Sequence, residues 1–528
     1  MTAYIPLLGG IAVLNILLTL QNIWPTPWVR PVAEISIEIA ALTLFLAIWI
    51  EFRGPPGKPI RRSALAVLLL LIAGRYGEIT APALFGRRID LYWDLRHAPS
   101  VAAMFAEAVP WWRIAGLATG VAALIAAIIL AIRYALGAML TGLANPALRR
   151  RAGLLAAATI VLYAAGLGGV RTSAQNWFAL PVTPVYARQA AFLARAANTV
   201  AATPMTRSDL GAIGGTDFFT IFFESYGAVV FERPQLYAAL TAELARFDEF
   251  LHRSGWRTAS AFVDSPTFGG ASWLAHATLL SGRWITREAD YRLFLAAPSE
   301  TLGDRFRAAG YRTIGLFPGI KLDWPEGAAL GFERILDARA LAYRGPAFGW
   351  WTIPDQYSLE VLHQREIMRP DRRPLFVTFA SIMSHWPFGP TPPYQPDWSR
   401  VTGPAPFAPG ALAKALAADP PLDDLSAAYL RTIKHNIRLL YGFLAERAPA
   451  DALILVTGDH QPPAIVSGKA ASWSVPVHIF TRDATIARRF IQAGFQPGLR
   501  PKRPALTRMD GLNRLLLEAL DSNGGVTR

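Results

Sequence analysis

Four segments of this 528-residue chain run an apolar stretch into residues that can do chemistry. Residues 218–223 (FFTIFF) end at Glu224. Gly269 and Gly270 precede Ser272 and then a stretch of helical composition. Residues 375–380 (LFVTFA) are followed by His385, and residues 452–457 (ALILVT) by Asp459 and His460. Two carboxylates and an imidazole suit a hard or borderline divalent cation such as Mn²⁺, Mg²⁺ or Zn²⁺. Ser272 sits where a glycine-rich turn enters a helix, which aims backbone N–H groups and the positive helix end at an anion. Its hydroxyl would act there as an alkoxide beside a phosphoryl oxygen, and a metal would lower its pKa further. Each residue alone has a plainer reading. Ser272 could be an N-cap, His385 an ordinary loop histidine, Glu224 a cap or surface acid, and Asp459–His460 a chance dipeptide. Four such places in one α/β pattern weigh towards a shared site.

The elements that must position these residues are short apolar strands alternating with helices. Strands are expected at 218–223, 313–317, 375–380, 452–457 and 475–480, and helices at 236–250, 302–309, 427–446 and 509–520. An apolar run such as 218–223, broken only by Thr220, suits a strand buried on both faces. Alternating units predict a mostly parallel sheet covered by helices on both faces, with ligands at the carboxyl ends of the strands. Residues 387–421, rich in Pro and Ala, read as an irregular insertion.

Apolar residues make up 52% of the chain and charged ones 17%, and the excess lies in the first third. Five stretches there are long enough to span a membrane: 4–24, 32–50, 64–83, 112–132 and 153–170. The first is too long, and too poor in early basic residues, for a cleaved signal peptide. Arg53, Lys58, Arg61 and Arg62 follow the second stretch, and Arg133, Arg149, Arg150 and Arg151 follow the fourth. The first connection has only Arg30, and in the third Arg87, Arg88 and Arg96 are offset by Asp90, Asp94 and Glu107. Positive loops mark the cytoplasmic side, so the N-terminus is expected inside and everything after Arg171 outside. Trp24, Trp28, Trp93, Trp111 and Trp112 fall near the outer interface, as aromatic belts do. Glu34, Glu38, Arg75 and Glu78 near the outer ends imply interfacial solvation, a helix–helix ion pair, or a polar pocket for a lipid head group. The expected organisation is a five-span α-helical membrane domain over 1–171, a linker over 172–215 and a catalytic domain over 216–528. The linker's 184–202 segment could lie along the membrane surface or dock as an ordinary helix. Gly211, Gly214 and Gly215 then mark a break.

Net charge is +14; the first 171 residues hold 15 Lys and Arg against 7 Asp and Glu, the rest 37 against 31. A mildly basic outer domain tolerates anionic lipid or phosphodiester substrates, while the absence of a basic stripe interleaved with aromatics argues against nucleic acid. The chain has no cysteine, which excludes disulfides, thiolate metal sites and a cysteine nucleophile.

With these motifs in hand, residues 216–480 resemble the sulfatase-like branch of the alkaline phosphatase superfamily. Within it they are most similar to membrane transferases of the lipoteichoic acid synthase, phosphoglycerol transferase and phosphoethanolamine transferase type. FFES resembles the first metal-ligand strand, ASWLAHATLLSGRW the nucleophile helix, SHWPF a substrate-binding histidine loop, VTGDHQPP an Asp-His metal pair and SWSVPVHIF the next strand. The resemblance implies one divalent metal, commonly manganese or zinc, on Glu224, Ser272, Asp459 and His460. It makes Ser272 the nucleophile and gives His385 the transferred group or the leaving group. It also makes His276, one turn beyond Ser272, a candidate for substrate binding, and Thr278 structural. The tryptophan–arginine pair of lipoteichoic acid synthases has no clear counterpart; Trp324 is the nearest tryptophan, and Lys321 would stand in for the arginine. The implied reaction moves a phosphoryl-linked head group from a membrane lipid to a glycan or lipid acceptor. The rival is a sulfatase or phosphodiesterase. Sulfatases that modify their Ser or Cys carry Pro and Arg after it, whereas Ser272 is followed by Trp273, Leu274, Ala275 and His276.

Overall fold

The structure, a computed structural model, describes residues 4–85, 88–89, 94, 98–99, 101–103, 106, 109–167, 176–195, 205–296, 300–322, 324–349, 352–418 and 424–524. The chain divides into two compact units, Met1–Asn198 and Thr199–Arg528.

The first unit is helical: α1 (Tyr4–Leu18), α2 (Ile37–Arg53), α3 (Lys58–Phe85), α4 (Trp111–Leu143), α5 (Pro146–Leu167) and α6 (Thr183–Arg195). Small residues let backbones approach, as where Gly10 meets Ala135 and Met139, and Gly153 meets Ala47. By length and composition two of the described helices can cross a membrane, Lys58–Leu84 and Trp111–Leu143; Tyr4–Leu18 is apolar but shorter. This is fewer than the five expected, for readable reasons. The first stretch stops at Leu18, after which Gln21–Asn22 pairs antiparallel with Val29–Arg30 around Pro25 and Pro27, which cannot extend a helix. The second starts only at Ile37, where the Ser36 hydroxyl caps it by accepting from Ile39 N. The fifth carries Arg149, Arg150 and Arg151 in its first turns. Of the expected surface helix, Thr183–Arg195 is helical; residues 196–202, like Arg87, Asp90, Trp93, Arg96, Glu107, Val170 and Arg171, lie outside the described residues. Glu34 and Arg75 form the ion pair among the three readings offered for them, at 4.0 Å.

The second unit is built on a nine-stranded sheet. Its strands are β1 (Phe218–Phe223), β2 (Arg257–Asp264), β3 (Arg312–Phe317), β4 (Arg334–Asp337), β5 (Leu375–Ala380), β6 (Leu453–Gly458), β7 (Ser474–Thr481), β8 (Gln496–Pro497) and β9 (Thr507–Arg508). Their order is β8–β2–β7–β6–β1–β5–β3–β4, with β9 beside β2. The stretch β6–β1–β5–β3–β4 is parallel, as expected. The other side is not: β7 runs antiparallel to both β6 and β2, and β8 antiparallel to β2. The sheet is therefore mixed, with parallel pairings in the majority once β9 beside β2 is included. Alternation along β1 feeds two cores. Phe219, Ile221 and Phe223 pack with the helices Pro234–Arg253 and Ser426–Glu446. Phe218 and Phe222 pack with Ser272–Ser281 and Met509–Leu520. The 387–421 insertion is less irregular than expected. It contains the helix Pro409–Leu416 and the turn Trp398–Arg400, with Trp398 fully buried; residues 419–421 lie outside the described residues.

Candidate active site

Register assembles the site. Strands β1 and β6 pair in parallel with Phe223 opposite Gly458, so the next residues, Glu224 on one strand and Asp459 and His460 on the other, leave the sheet side by side. The strands come this close because residue 458 is glycine; a Cβ there would overlap the Tyr226 carbonyl. On the other flank β5 brings Ser381 to Glu224, whose N–H donates to the Ser381 hydroxyl at 3.0 Å. The Ser384 hydroxyl donates to the Glu224 carbonyl at 2.6 Å, itself receiving a bond from Asn436 Nδ2 at 2.8 Å.

The loop after β2 delivers the serine. Ser265 Oγ donates to the Asp459 carbonyl and Gly269 N to the Gln461 carbonyl, which ties this loop to the end of β6. Ser272 is then the first residue of its helix, not the N-cap; Ala271 holds that position with φ 63° and makes no side-chain cap bond. The Ser272 hydroxyl turns to the carboxylates instead, donating to Glu224 Oε2 at 3.0 Å and lying 3.2 Å from His460 Nε2. Ser225, with φ 57°, is a second non-glycine residue in the left-handed region here. Two such residues flanking one cluster mark strain that the fold holds in place.

The cluster is buried: Asp459 is 0% exposed, His460 1% and Glu224 7%. His460 Nδ1 donates to the Gln461 carbonyl at 2.8 Å. That fixes the tautomer and leaves Nε2 facing Glu224 Oε1 at 3.3 Å and Asp459 Oδ2 at 3.5 Å. Asp459 Oδ1 accepts from Ser225 N and His460 N, whereas Oδ2, buried, has no hydrogen-bond partner. Burial, reinforced by the charge of Glu224, pushes Asp459 up to about 7. Burial opposes the charged form of His460, but Asp459 and Glu224 outweigh it and lift the imidazole to about 9. Burial likewise works against Glu224, and the His385 and His460 imidazoles overcome it, holding this carboxyl below its ordinary range. The ligand atoms of Glu224, Asp459 and His460 lie within 4.8 Å of one another. An orphaned carboxylate oxygen, a second carboxylate and an imidazole nitrogen that binding would strip of its proton converge in a buried place, and this donor set fits a divalent cation.

Of the remaining candidates, His385 and His276 lie beside this core. His385 lies in the turn after β5, half-buried, with Nδ1 2.8 Å from the Trp386 carbonyl, and its charge is felt by Glu224. Asp355, fully buried, accepts from Ile382 N and Met383 N and so braces this turn; no sequence pattern marks it. His276 packs against Phe222, ring centroids 4.4 Å apart, and Phe317, 6.1 Å. Burial lowers it to about 4, the behaviour of a neutral packed histidine. Its Nε2 has no hydrogen-bond partner. Lys321 and Trp324 follow β3, with the Trp324 ring edge-on to Phe317 at 4.9 Å.

No family model and no curated protein matches the chain. Solved structures do. The lipoteichoic acid synthase LtaP from Listeria monocytogenes is 12% identical, over 52% of this chain and 67% of that one, with a TM-score of 0.36. The C-terminal periplasmic domain of EcEptC from Escherichia coli is 12% identical, over 53% and 77%, with a TM-score of 0.36. The phosphoglycerol transferase GacH from Streptococcus pyogenes, in complex with sn-glycerol-1-phosphate, is 13% identical, over 61% and 83%, with a TM-score of 0.35. Chains this far apart can share a fold and differ in reaction, so the reaction must be argued from the residues. The chain is similar to structures of the sulfatase-like phosphotransferase kind that its motifs resemble.

Proposed function

We propose that the protein transfers a phosphoryl-linked head group, of phosphoglycerol or phosphoethanolamine type, from a membrane lipid to a glycan or lipid acceptor through a covalent intermediate on Ser272. The observation that carries this reading is the Ser272 hydroxyl, at a helix start, 3.0 Å from Glu224 and 3.2 Å from His460. Glu224, Asp459 and His460, with the Ser272 oxygen, would hold the metal; manganese is the ion of this reading, and zinc or magnesium suits the same donors. When bound, the ion neutralises charge at the serine and at the phosphoryl group.

Ser272 Oγ forms the new bond to phosphorus and loses its proton along its hydrogen bond to Glu224. The helix start offers backbone N–H groups to the phosphoryl oxygens. The bond to the lipid alcohol breaks, and His385 gives that alcohol a proton. In the second half the acceptor hydroxyl gives its proton to His385 as it displaces Ser272, which recovers its own. His276, Lys321 and Trp324 are assigned to the substrate side, with Lys321 the cation for the phosphate.

This reading places α1 to α5 across the membrane, the N-terminus in the cytoplasm and residues 172–528 outside, so that the domain works beside an insoluble donor at high effective concentration. Its support is the basic character of the 53–62 and 133–151 connections. Reporters fused at Arg61 and after Arg171 should report opposite compartments; the same compartment for both sinks the topology. Intact mass analysis of the full chain purified with its native lipids tests the chemistry. A phosphoglycerol or phosphoethanolamine adduct on Ser272 is expected, and an adduct that persists in Ser272→Ala rejects the nucleophile.

A further inference from the structure

The turn that carries His385 has a second side. His385, Trp386 and Pro387 line a small pocket together with Gly389 and Pro390. Gly389 and Pro390, with Phe388, also form one end of a cleft of about 800 Å³. The helix Pro409–Leu416 supplies Ala411, Lys414 and Ala415 to this cleft, and the helix Ser426–Glu446 supplies Arg431 and Arg438.

The cleft is mostly apolar and carries three cations, Lys414, Arg431 and Arg438. Lys414 and Arg431 are exposed and have no ion-pair partner among the described residues. Arg438 does have one, Glu243 at 3.1 Å, but that single carboxylate also serves Lys434 at 3.8 Å and Arg246 at 3.3 Å. Arg431, Lys434 and Arg438 fall at i, i+3 and i+7 and share a helix face. Two turns separate Arg431 from Arg438, about 10 Å along the axis, further than one phosphate spans. A flat bilayer does not enter a recess, whereas an extended chain with repeated anionic groups fills one of this length. The apolar lining that is open to solvent, from Pro390, Pro393, Ala411 and Ala415, suits the C–H faces of sugar rings.

We infer that this cleft is the acceptor site of the transferase proposed above, and that the acceptor is an anionic glycan chain bearing phosphate groups, fed along the Ser426–Glu446 helix to His385. The inference rests on that reading for the word acceptor; the binding itself is measurable without turnover.

The test uses the full chain in detergent micelles, with a fluorescent phosphomannan, an unphosphorylated mannan of equal length, and phosphatidylglycerol vesicles as probes. Phosphomannan should bind, and more weakly as salt is raised. The Lys414→Gln/Arg431→Gln variant should bind it about tenfold less tightly, for loss of two charge-assisted contacts, while cleavage of a nitrophenyl phosphodiester stays unchanged. Ala411→Trp, at an exposed position, should weaken binding by filling the cleft without altering charge. Equal affinity for the two mannans, or wild-type affinity in the double variant, overturns the inference. Loss of vesicle binding in the double variant with phosphomannan binding intact overturns it in favour of a membrane-docking face. Phosphomannan binding by a wild-type protein that cleaves no phosphodiester upholds the cleft and rejects the transferase.

Discussion

Each unit buries a cluster of charged and polar side chains, and the two clusters are finished differently. In the helical unit Arg75 donates to the carbonyls of Leu20 and Leu180 and faces Glu34. Glu34 is bonded in turn by Gln21, and Glu38 by Ser36 and by Val182 N. The polar groups there close on one another and tie loops to helices. In the sheet domain the Glu224–Asp459–His460 cluster stays open. Asp459 Oδ2 has no hydrogen-bond partner, and the His460 Nε2 and Ser272 Oγ atoms point into the same space. Buried polar groups are normally satisfied. A closed cluster is architecture, and one whose unmet valences converge is prepared for something that arrives later.

The largest effect expected from this contrast is on the open side. Ser272→Ala should lower nitrophenyl phosphodiester turnover, assayed with Mn²⁺, by at least about 10³-fold, the scale seen when a nucleophile is removed. Metal content and melting temperature should hold, and Ser272→Thr should keep part of the activity. Wild-type turnover in Ser272→Ala would break the assignment. Next come matched substitutions in the two clusters. Arg75→Met should cost about 2 kcal/mol, because it leaves the Leu20 and Leu180 carbonyls without their donor. Asp459→Asn should abolish metal binding and activity, yet leave the metal-free protein about as stable as wild type, since the amide oxygen still accepts from Ser225 N and His460 N and burial already favours an uncharged group there. Unfolding curves and metal analysis read both; equal destabilisation would erase the distinction.

A smaller effect sharpens the comparison through pH. His478 is buried between Ser260 and Tyr226, and burial lowers its pKa to about 3. The folded state keeps it neutral, while the unfolded chain takes up a proton below about 6.5. Its contribution is therefore complete above pH 6.5 and is lost as pH falls towards 3, by up to about 1.4 kcal/mol per unit. The stability gap between wild type and His478→Gln should narrow from pH 7 to pH 5; a constant gap would refute the neutral assignment. The smallest effect belongs to Thr278, whose buried hydroxyl accepts from Ile285 N at 3.1 Å. Thr278→Val should cost about 1 kcal/mol for that hydrogen bond and leave turnover unchanged.

Three strands of the parallel half, β1, β5 and β6, are legible in the sequence because each is a short apolar run interrupted by little more than a threonine, with polar residues just beyond it; β4, the four residues RILD, is too short to stand out and is not among the expected strands. Strand β2 is not. Its sequence, RTASAFVD, alternates small polar and apolar residues, and it becomes a strand by pairing with β7, where Ser260 meets His478. That is context, not propensity. The serine's neighbourhood is half legible. The glycines announce a turn into a helix, but that Ala271 takes the cap and frees the Ser272 hydroxyl follows only from backbone angles. Asp355, Ser384 and Asn436 are invisible as supports, because their partners lie 27, 160 and 52 residues away. The first helix of the helical unit is shorter than its composition suggests: apolar residues run on through Trp24, but the helix stops at Leu18 and the chain turns at Pro25 and Pro27.

The bond from Ser225 N to Asp459 Oδ1 joins residues 234 apart in sequence, and Glu224 is about as far from Asp459 and His460, although Ser272 follows it by only 48 residues. A polypeptide emerging from the ribosome, or threaded unfolded through a translocation pore, therefore carries Glu224 and Ser272 long before Asp459 and His460, and one carboxylate with one hydroxyl is too few donors to hold an ion. No half-site forms early to capture an ion. Because metal binding is coupled to folding, an ion taken by this site under the proposed reading would come from the pool of the compartment in which β6 docks, whatever ions abound where the chain is made.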